Sequence, residues 1–290
     1  MKPLEGKIAV VAGATRGAGR GIAIALGRAG ATVYVTGRSV RGSLSDMGRS
    51  ETIDETAELV AAAGGQGIPV RCDYTIEDDV KALYTRVAEE QQGRLDIQVN
   101  DIWGGDPLTV WHEPFWEHSL HNGLLIQQRG VHTHMMASYY AAPLMIAHGS
   151  GGLIIEITDG YDYRYRGNLY YSLAKISVIH LAQAMAADLR PHNIAAVALT
   201  PGFLRSEAML DHFGVQESNW REAAAQDPHF LQSETPALVG QAAAALASDP
   251  NVLARSGQAL TSWDLSEEYG FADADGSRPH WGRYAAEHGF

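Results

Sequence analysis

Residues 7–19 read KIAVVAGATRGAG. The run Lys7–Ala12 (KIAVVA) is apolar without alternation after its lysine, which predicts a strand buried on both faces. Glycines follow at positions 13, 17 and 19. Glycine permits a tight turn and lets backbone N–H groups come close to a pyrophosphate at the start of the next helix. Residues 18–29 carry the helical pattern that such a helix needs. Strand, glycine loop and helix in this order predict the opening of a dinucleotide-binding unit; an isolated glycine-rich turn would carry less weight.

The same alternation runs on through the chain. Further strands are predicted at 31–36, 66–71, 95–100, 152–158 and 194–199, with a weak one at 257–261. Helices are predicted at 51–63, 76–92, 118–147 and 169–190. Another starts at the cap and first-turn proline Thr235-Pro236 and runs to Ser248. The tail reads as irregular. Strands apolar on both faces that alternate with helices predict an α/β, Rossmann-type doubly wound fold with a seven-stranded parallel sheet. The 290 residues are read as a single domain, with an aromatic insertion loop at 101–119 and a C-terminal extension at 262–290. A connection as long as 101–119 points to function.

Composition limits the function classes. Lys+Arg is 22 and Asp+Glu is 34, a net charge of −12, which argues against nucleic acid or an anionic membrane as partner. An apolar share of 46% and a charged share of 19% exclude a disordered chain. No apolar run approaches the roughly 20 residues of a membrane span, and the first residues lack signal-peptide architecture. Cys72 is the single cysteine, so neither an internal disulfide nor a cysteine-based metal cluster is expected. His112, His118, His121, His132 and His134 show no convincing metal-ligand spacing, so no metal is expected. These readings place the protein in the cytoplasm.

Arg38 follows the second strand, where a dinucleotide fold faces the adenosine ribose. An acid there binds the 2′-hydroxyl, whereas an arginine accommodates a 2′-phosphate. Arg16, inside the glycine loop, is a second cation for that phosphate. The expected cofactor is therefore NADP(H) in preference to NAD(H); the alternative is that both arginines are solvated surface residues. Tyr171 and Lys175 stand four apart on one helix face. A phenol titrates near 10, and a nearby ammonium lowers that value, so the pair is suited to acid–base work on a carbonyl.

With both features in place, the chain resembles a short-chain dehydrogenase/reductase over nearly its whole length. Gly13, Gly17 and Gly19 match the family's TGxxxGxG loop, with Ala12 for its threonine; Thr15 and Arg16 lie within it. Asp73 matches the acid that holds the adenine amino group. Residues 99–104 (VNDIWG) stand where the family has NNAG and keep Asn100. Tyr171 and Lys175 match the active-site pair, in which the lysine also binds the nicotinamide ribose. Pro201-Gly202, with Ser206 beyond, resembles the loop at the nicotinamide carboxamide. Residues 89–96 and 256–276 are similar to the dehydrogenase/reductase member 1 branch. The resemblance implies cofactor contacts from Gly13, Thr15, Arg16, Gly17, Gly19, Arg38, Asp73, Asn100, Tyr171, Lys175, Pro201 and Gly202.

Two positions depart from the family. Spacing puts Thr158 in place of its catalytic serine, whereas strand alignment puts Asp159 there. Thr158, or a protonated Asp159, can donate to the substrate oxygen; either residue can equally be a strand-end cap. The family's helix asparagine falls near Gly130, and His132 or His134 can line that helix instead. Tyr161, Tyr163, Tyr165, Arg164 and Arg166 form a wall of the cleft or a surface loop. Trp103, Trp111, Phe115 and Trp116 cap the cleft or pack the insertion. Trp263, Asp264 and Tyr269 close over the site or fill an interface. Ala174, Val178, Leu181, Met185 and Leu189 form a stripe that pairs across a homodimer or homotetramer, faces the sheet, or does both.

The expected activity is interconversion of a carbonyl and an alcohol on a small, hydrophobic substrate. Tyr171 and Lys175, with Thr158 or Asp159, carry the chemistry. The alternatives are a cofactor-binding protein with weak or no dehydrogenase activity, acting as sensor or assembly subunit, and a non-redox isomerase or dehydratase.

Overall fold

In a computed structural model describing residues 2–289, residues 7–28 form the predicted strand, turn and helix. Strand β1 (Ile8–Ala12) is buried throughout, and helix α1 (Gly17–Arg28) follows the glycine turn. The succession continues with β2 (Thr32–Gly37), α2 (Ile53–Ala62), β3 (Gln66–Arg71), α3 (Glu77–Glu90) and β4 (Ile97–Asn100). Next come α4 (Leu120–Gln127), α5 (Thr133–His148), β5 (Gly152–Ile157), α6 (Leu169–Leu189) and β6 (Ile194–Thr200). The chain then passes through α7 (Glu207–Phe213), α8 (Pro236–Ser248), β7 (Ala259–Thr261), α9 (Ser262–Tyr269) and α10 (Trp281–His288).

The seven strands pair in parallel in the order β3-β2-β1-β4-β5-β6-β7. Strand order reverses between β1 and β4, and the crevice at that point is where such sheets take their ligands. One apolar layer packs Ile22, Leu26, Val60, Val239 and Leu246 on Val11, Val33 and Val99. The other packs Val80, Leu83, Tyr84 and Met145 on Val10 and Ile154. Among the described residues, no helix is long and apolar enough to cross a membrane.

The structure corrects two expectations. The helix predicted at 118–147 is divided, because Gln128–His132 widens into a π turn between α4 and α5. The tail expected to be irregular holds α9 and α10; Thr261 caps α9, its hydroxyl oxygen accepting the Asp264 N–H. Of the α6 stripe, Ala174, Val178 and Leu189 are buried against the interior, one of the arrangements expected, while Leu181 and Met185 stay partly exposed.

Two details tie the crevice to the rest of the fold. Gly13 turns the chain at φ +87°, and a Cβ there would lie 2.2 Å from the Asp101 carbonyl oxygen. On the far side, the buried Glu234 carboxylate accepts from the Gly202 N–H at 2.8 Å and the Ser262 hydroxyl at 2.6 Å. It thus joins the loop after β6 to α9. Among the described residues its other oxygen has no hydrogen-bond partner, and burial pushes the carboxyl up to about 8.

Gly13→Ala is expected to cost more than about 1 kcal/mol in denaturant unfolding, because both the positive φ and the backbone contact are lost. An unchanged midpoint would contradict this account of the turn. For Glu234, the unfolded carboxyl ionises near 4.3 while the folded one keeps its proton to higher pH. Its contribution therefore falls as pH rises between about 4.3 and about 8. Glu234→Gln should raise the melting temperature relative to wild type at about pH 8.5, and less so at about pH 5. Parallel pH profiles for the two proteins would contradict it.

Candidate active site

A cavity of about 990 Å³ opens at the C-terminal ends of the strands. It brings together Gly13, Thr15, Arg16, Gly17, Arg38 and Asp73 at one end. Thr158, Asp159, Tyr171, Lys175, Pro201 and Gly202 line the other. Its size is that of a cofactor-and-substrate cleft.

The first end is built for anions. Arg16, the residue before α1, is extended, and among the described residues its guanidinium has no hydrogen-bonded partner. Burial lowers its pKa from the ordinary arginine value. The Gly17 N–H donates to a Glu207 oxygen at 2.8 Å, so a carboxylate already sits at the N-terminus of α1. Arg38 pairs with Asp46 at 2.7 Å and lies 4.0 Å from Asp73. Arg129, from the π turn, holds the other Asp46 oxygen at 2.8 Å. Although burial pushes the Asp46 carboxyl up, Arg38 and Arg129 hold it below the usual carboxylate value. A glycine cradle, unpartnered Arg16 and two arginines sharing one carboxylate are a donor set that fits a dinucleotide with an extra phosphate.

Two residues assigned to the cofactor lie outside the cavity lining. Asn100 is wholly buried. Its carboxamide donates to Ser138 at 2.8 Å and Glu156 at 2.7 Å, and accepts from Gln98 at 2.8 Å. The register pairs Asn100 with Glu156, which turns this side chain toward α5 and away from the cleft. This corrects its assignment as a cofactor contact. Gly19 contributes its N–H to Asp101 at 2.6 Å, so it acts through the turn and not as a wall of the cavity. Glu156 also meets His134 Nδ1 at 2.5 Å, and His134 Nε2–H donates to the Ile102 carbonyl at 3.0 Å. Of the two histidines expected on that helix, His134 is therefore a buried clamp on the segment after β4. An acid inside the apolar run GLIIEI was the available signal for it.

At the second end, Asn168 caps α6 by accepting the Tyr171 N–H at 2.9 Å, which places Tyr171 in the first turn. The Tyr171 hydroxyl donates to Asp159 Oδ2 at 2.8 Å. Arg166 lies 3.8 Å from the same oxygen. Thr158 is buried and donates its hydroxyl hydrogen to the Lys175 carbonyl at 2.7 Å. The structure therefore places Asp159 at the phenol and makes Thr158 a tie between β5 and α6. That corrects Thr158 as an orienter of substrate oxygen, because its one hydrogen is already committed.

Lys175 reaches the Tyr171 ring, with Trp103 nearer still. Its Nζ lies 4.0 Å from the centroid of the Trp103 ring and 5.5 Å from that of Tyr171. Burial, then Asp159, holds the phenol well above its ordinary value, while burial lowers the Lys175 pKa. Trp103 and Trp111 both meet the Tyr171 ring edge-on, with centroids 5.5 Å and 5.1 Å away. Phe115 and Trp116 are exposed. Gly130 explains the missing asparagine: a Cβ there would come within 2.7 Å of Trp103, so the indole takes the space. Asp101, Arg129, Glu207 and Trp281 also line or border the cleft and were missed. Buried Trp263 is set back beside Tyr161, and the Tyr269 hydroxyl donates to Asp249; Trp281 of α10 is the tail residue that reaches the cavity. Asp101 is half-buried at the cavity wall, and desolvation pushes its carboxyl up to about 6.

Comparison with known proteins agrees with this geometry. Residues 13–260 match a family model described as enoyl-(acyl carrier protein) reductase. Human dehydrogenase/reductase SDR family member 1 is 38% identical, over 94% of this chain and 85% of that protein. The 7alpha-hydroxysteroid dehydrogenase of Escherichia coli K12 is 31% identical, over 71% of this chain and 74% of that one. A solved 7α-hydroxysteroid dehydrogenase complexed with NADH and 7-oxo glycochenodeoxycholic acid superposes with a TM-score of 0.71 at 26% identity. It covers 95% of this chain and 96% of that structure. The glycine turn, the parallel sheet and these likenesses together make the chain a member of the short-chain dehydrogenase/reductase family, an oxidoreductase of CH–OH and C=O groups.

Proposed function

We propose that the protein is an NADP(H)-dependent reductase that converts an apolar carbonyl compound to its alcohol, with Tyr171 as the proton donor. The observation that carries this reading is the Tyr171 phenol. It is kept protonated and faces the cavity one helical turn from Lys175. When bound, the reduced dinucleotide supplies the hydride for the carbonyl carbon. Tyr171 gives its proton to the carbonyl oxygen. Lys175 places a positive charge at the ribose end, seated on Trp103. Gly13, Thr15 and Gly17 shape the phosphate cradle, and Asp73 lies at the adenine end.

Arg16, Arg38 and Arg129 support the preference for the phosphorylated cofactor. A 2′-phosphate would take over the arginine contacts that Asp46 now holds. That the solved relative was described with NADH makes this preference a matter for measurement. Trp111, Phe203, Met209 and Trp281 line the cavity with apolar surface, which suits a hydrophobic or ring-bearing substrate. The hydroxysteroid relatives point the same way. Exposed Met135, Tyr139 and Leu173 on α5 and α6 supply a face for a homodimer or homotetramer.

NADPH oxidation against a panel of ketones, aldehydes and quinones tests the reading. Tyr171→Phe should lower kcat by about 10²-fold or more with NADPH binding retained. Full activity in that variant would remove Tyr171 from the role. NADPH bound without turnover of any carbonyl would favour a binding protein. Arg38→Ala should weaken NADPH by roughly 10- to 100-fold and NADH far less, as measured by fluorescence titration. Equal losses for the two cofactors would overturn the assigned preference.

A further inference from the structure

The two flanks of Tyr171 differ in what they offer a proton. On the Lys175 flank the ammonium rests on the Trp103 ring. That indole is wedged against Gly105 and Gly130, where added Cβ atoms would lie 2.4 Å and 2.7 Å from it. Its Nε1–H donates to Asp106 at 2.6 Å. An aromatic face attracts a cation but has no lone pair or hydroxyl to pass a proton along. Lys175 still lines the cavity, but the ring beneath it relays no proton.

On the other flank the phenol hydroxyl donates directly to Asp159 Oδ2 at 2.8 Å, and the Asp159 side chain is 51% exposed. The turn that carries it is pinned, because the Gly160 N–H donates to the Thr200 hydroxyl at 2.8 Å. Arg166 lies beside the same carboxylate and is itself held, donating to the Arg164 carbonyl at 2.6 Å. A hydrogen-bonded path from the phenol to solvent therefore runs through this carboxyl group.

We propose that Asp159 resupplies the proton of Tyr171 from solvent. The inference rests on the reductase reading above. In the first step hydride reaches the carbonyl carbon from the reduced dinucleotide. The phenol O–H bond breaks, and its proton forms the product hydroxyl. In the second step Asp159, a carboxylate while it accepts from the phenol, takes up a proton from solvent at its open side and passes it to the phenolate, which returns Asp159 to the carboxylate. The sum is one carbonyl, one hydride and one solvent proton giving one alcohol. The same contact disfavours phenolate, the form that alcohol oxidation requires.

The test compares wild type, Asp159→Asn and Asp159→Glu with NADPH and a carbonyl substrate. In Asp159→Asn, kcat should fall by about 10²-fold while KM moves by less than about threefold. Its rate should climb with added formic or acetic acid, wild type should ignore these acids, and glutamate should restore most of the rate. A kcat for Asp159→Asn within about twofold of wild type, or a loss that no added acid relieves, overturns the proposal.

A second measurement needs no turnover. The ultraviolet difference titration of Tyr171 is taken as each protein minus its Tyr171→Phe counterpart. Tyr171 should ionise at lower pH in Asp159→Asn than in wild type, because the carboxylate's contribution to the raised value is lost while burial remains. Identical titrations overturn the coupling. If wild type binds NADPH but reduces no carbonyl, the reductase reading fails, and the titration still decides whether Asp159 controls the Tyr171 proton.

Discussion

Asp101 holds the molecule's functional crevice together. Its N–H donates to the Ala12 carbonyl, which extends β4 alongside β1. Its carboxylate takes the Gly19 N–H and so fixes the start of α1. Its carbonyl oxygen lies where a Cβ on Gly13 would be. One residue thus joins both strands at the switch point to the glycine turn, and the cradle for phosphates follows from that junction. The cost is a half-buried carboxyl at the cavity wall, which the neighbouring charges of Lys175 and His134 ease.

The site departs from its family in coupled pairs of residues. A tryptophan at position 103 requires a glycine at 130, because the indole fills the volume a side chain would need. The lysine then meets an aromatic face in place of a hydrogen-bonding neighbour. Asp159 replaces a hydroxyl with an acceptor, so the phenol hydrogen turns toward it. The His134–Glu156 pair fixes the segment after β4 from below, since Ile102 offers only an acceptor and His134 must donate to it. Each substitution is intelligible only with its partner.

The charge distribution follows the same logic. A chain of net charge −12 concentrates Arg16, Arg38 and Arg129 along one end of its cleft. Asp46 and Glu207 meet these cations or the helix terminus from neighbouring loops and helices. Anionic groups from within the chain therefore satisfy a site whose chemistry is that of a phosphate cradle. A bound dinucleotide and these carboxylates would compete for the same donors.

Local sequence was sufficient to determine the order of strands and helices, the glycine turn and the Tyr171–Lys175 helix. Each depends on side-chain periodicity or on backbone freedom within a few residues. The tail was harder to read, because α10 gains its place by setting Trp281 against Phe203, a contact distant in sequence. Asn100 was misassigned for the same reason: its direction depends on the register with β5 and on the buried Glu156. Thr158 and Asp159 are adjacent, and only the fold shows which faces the phenol. The ionisation of Tyr171 was likewise a tertiary outcome. Spacing placed a lysine nearby, but burial and a carboxylate from another element determine the proton's energy, because electrostatics acts through space and dielectric, not along the chain.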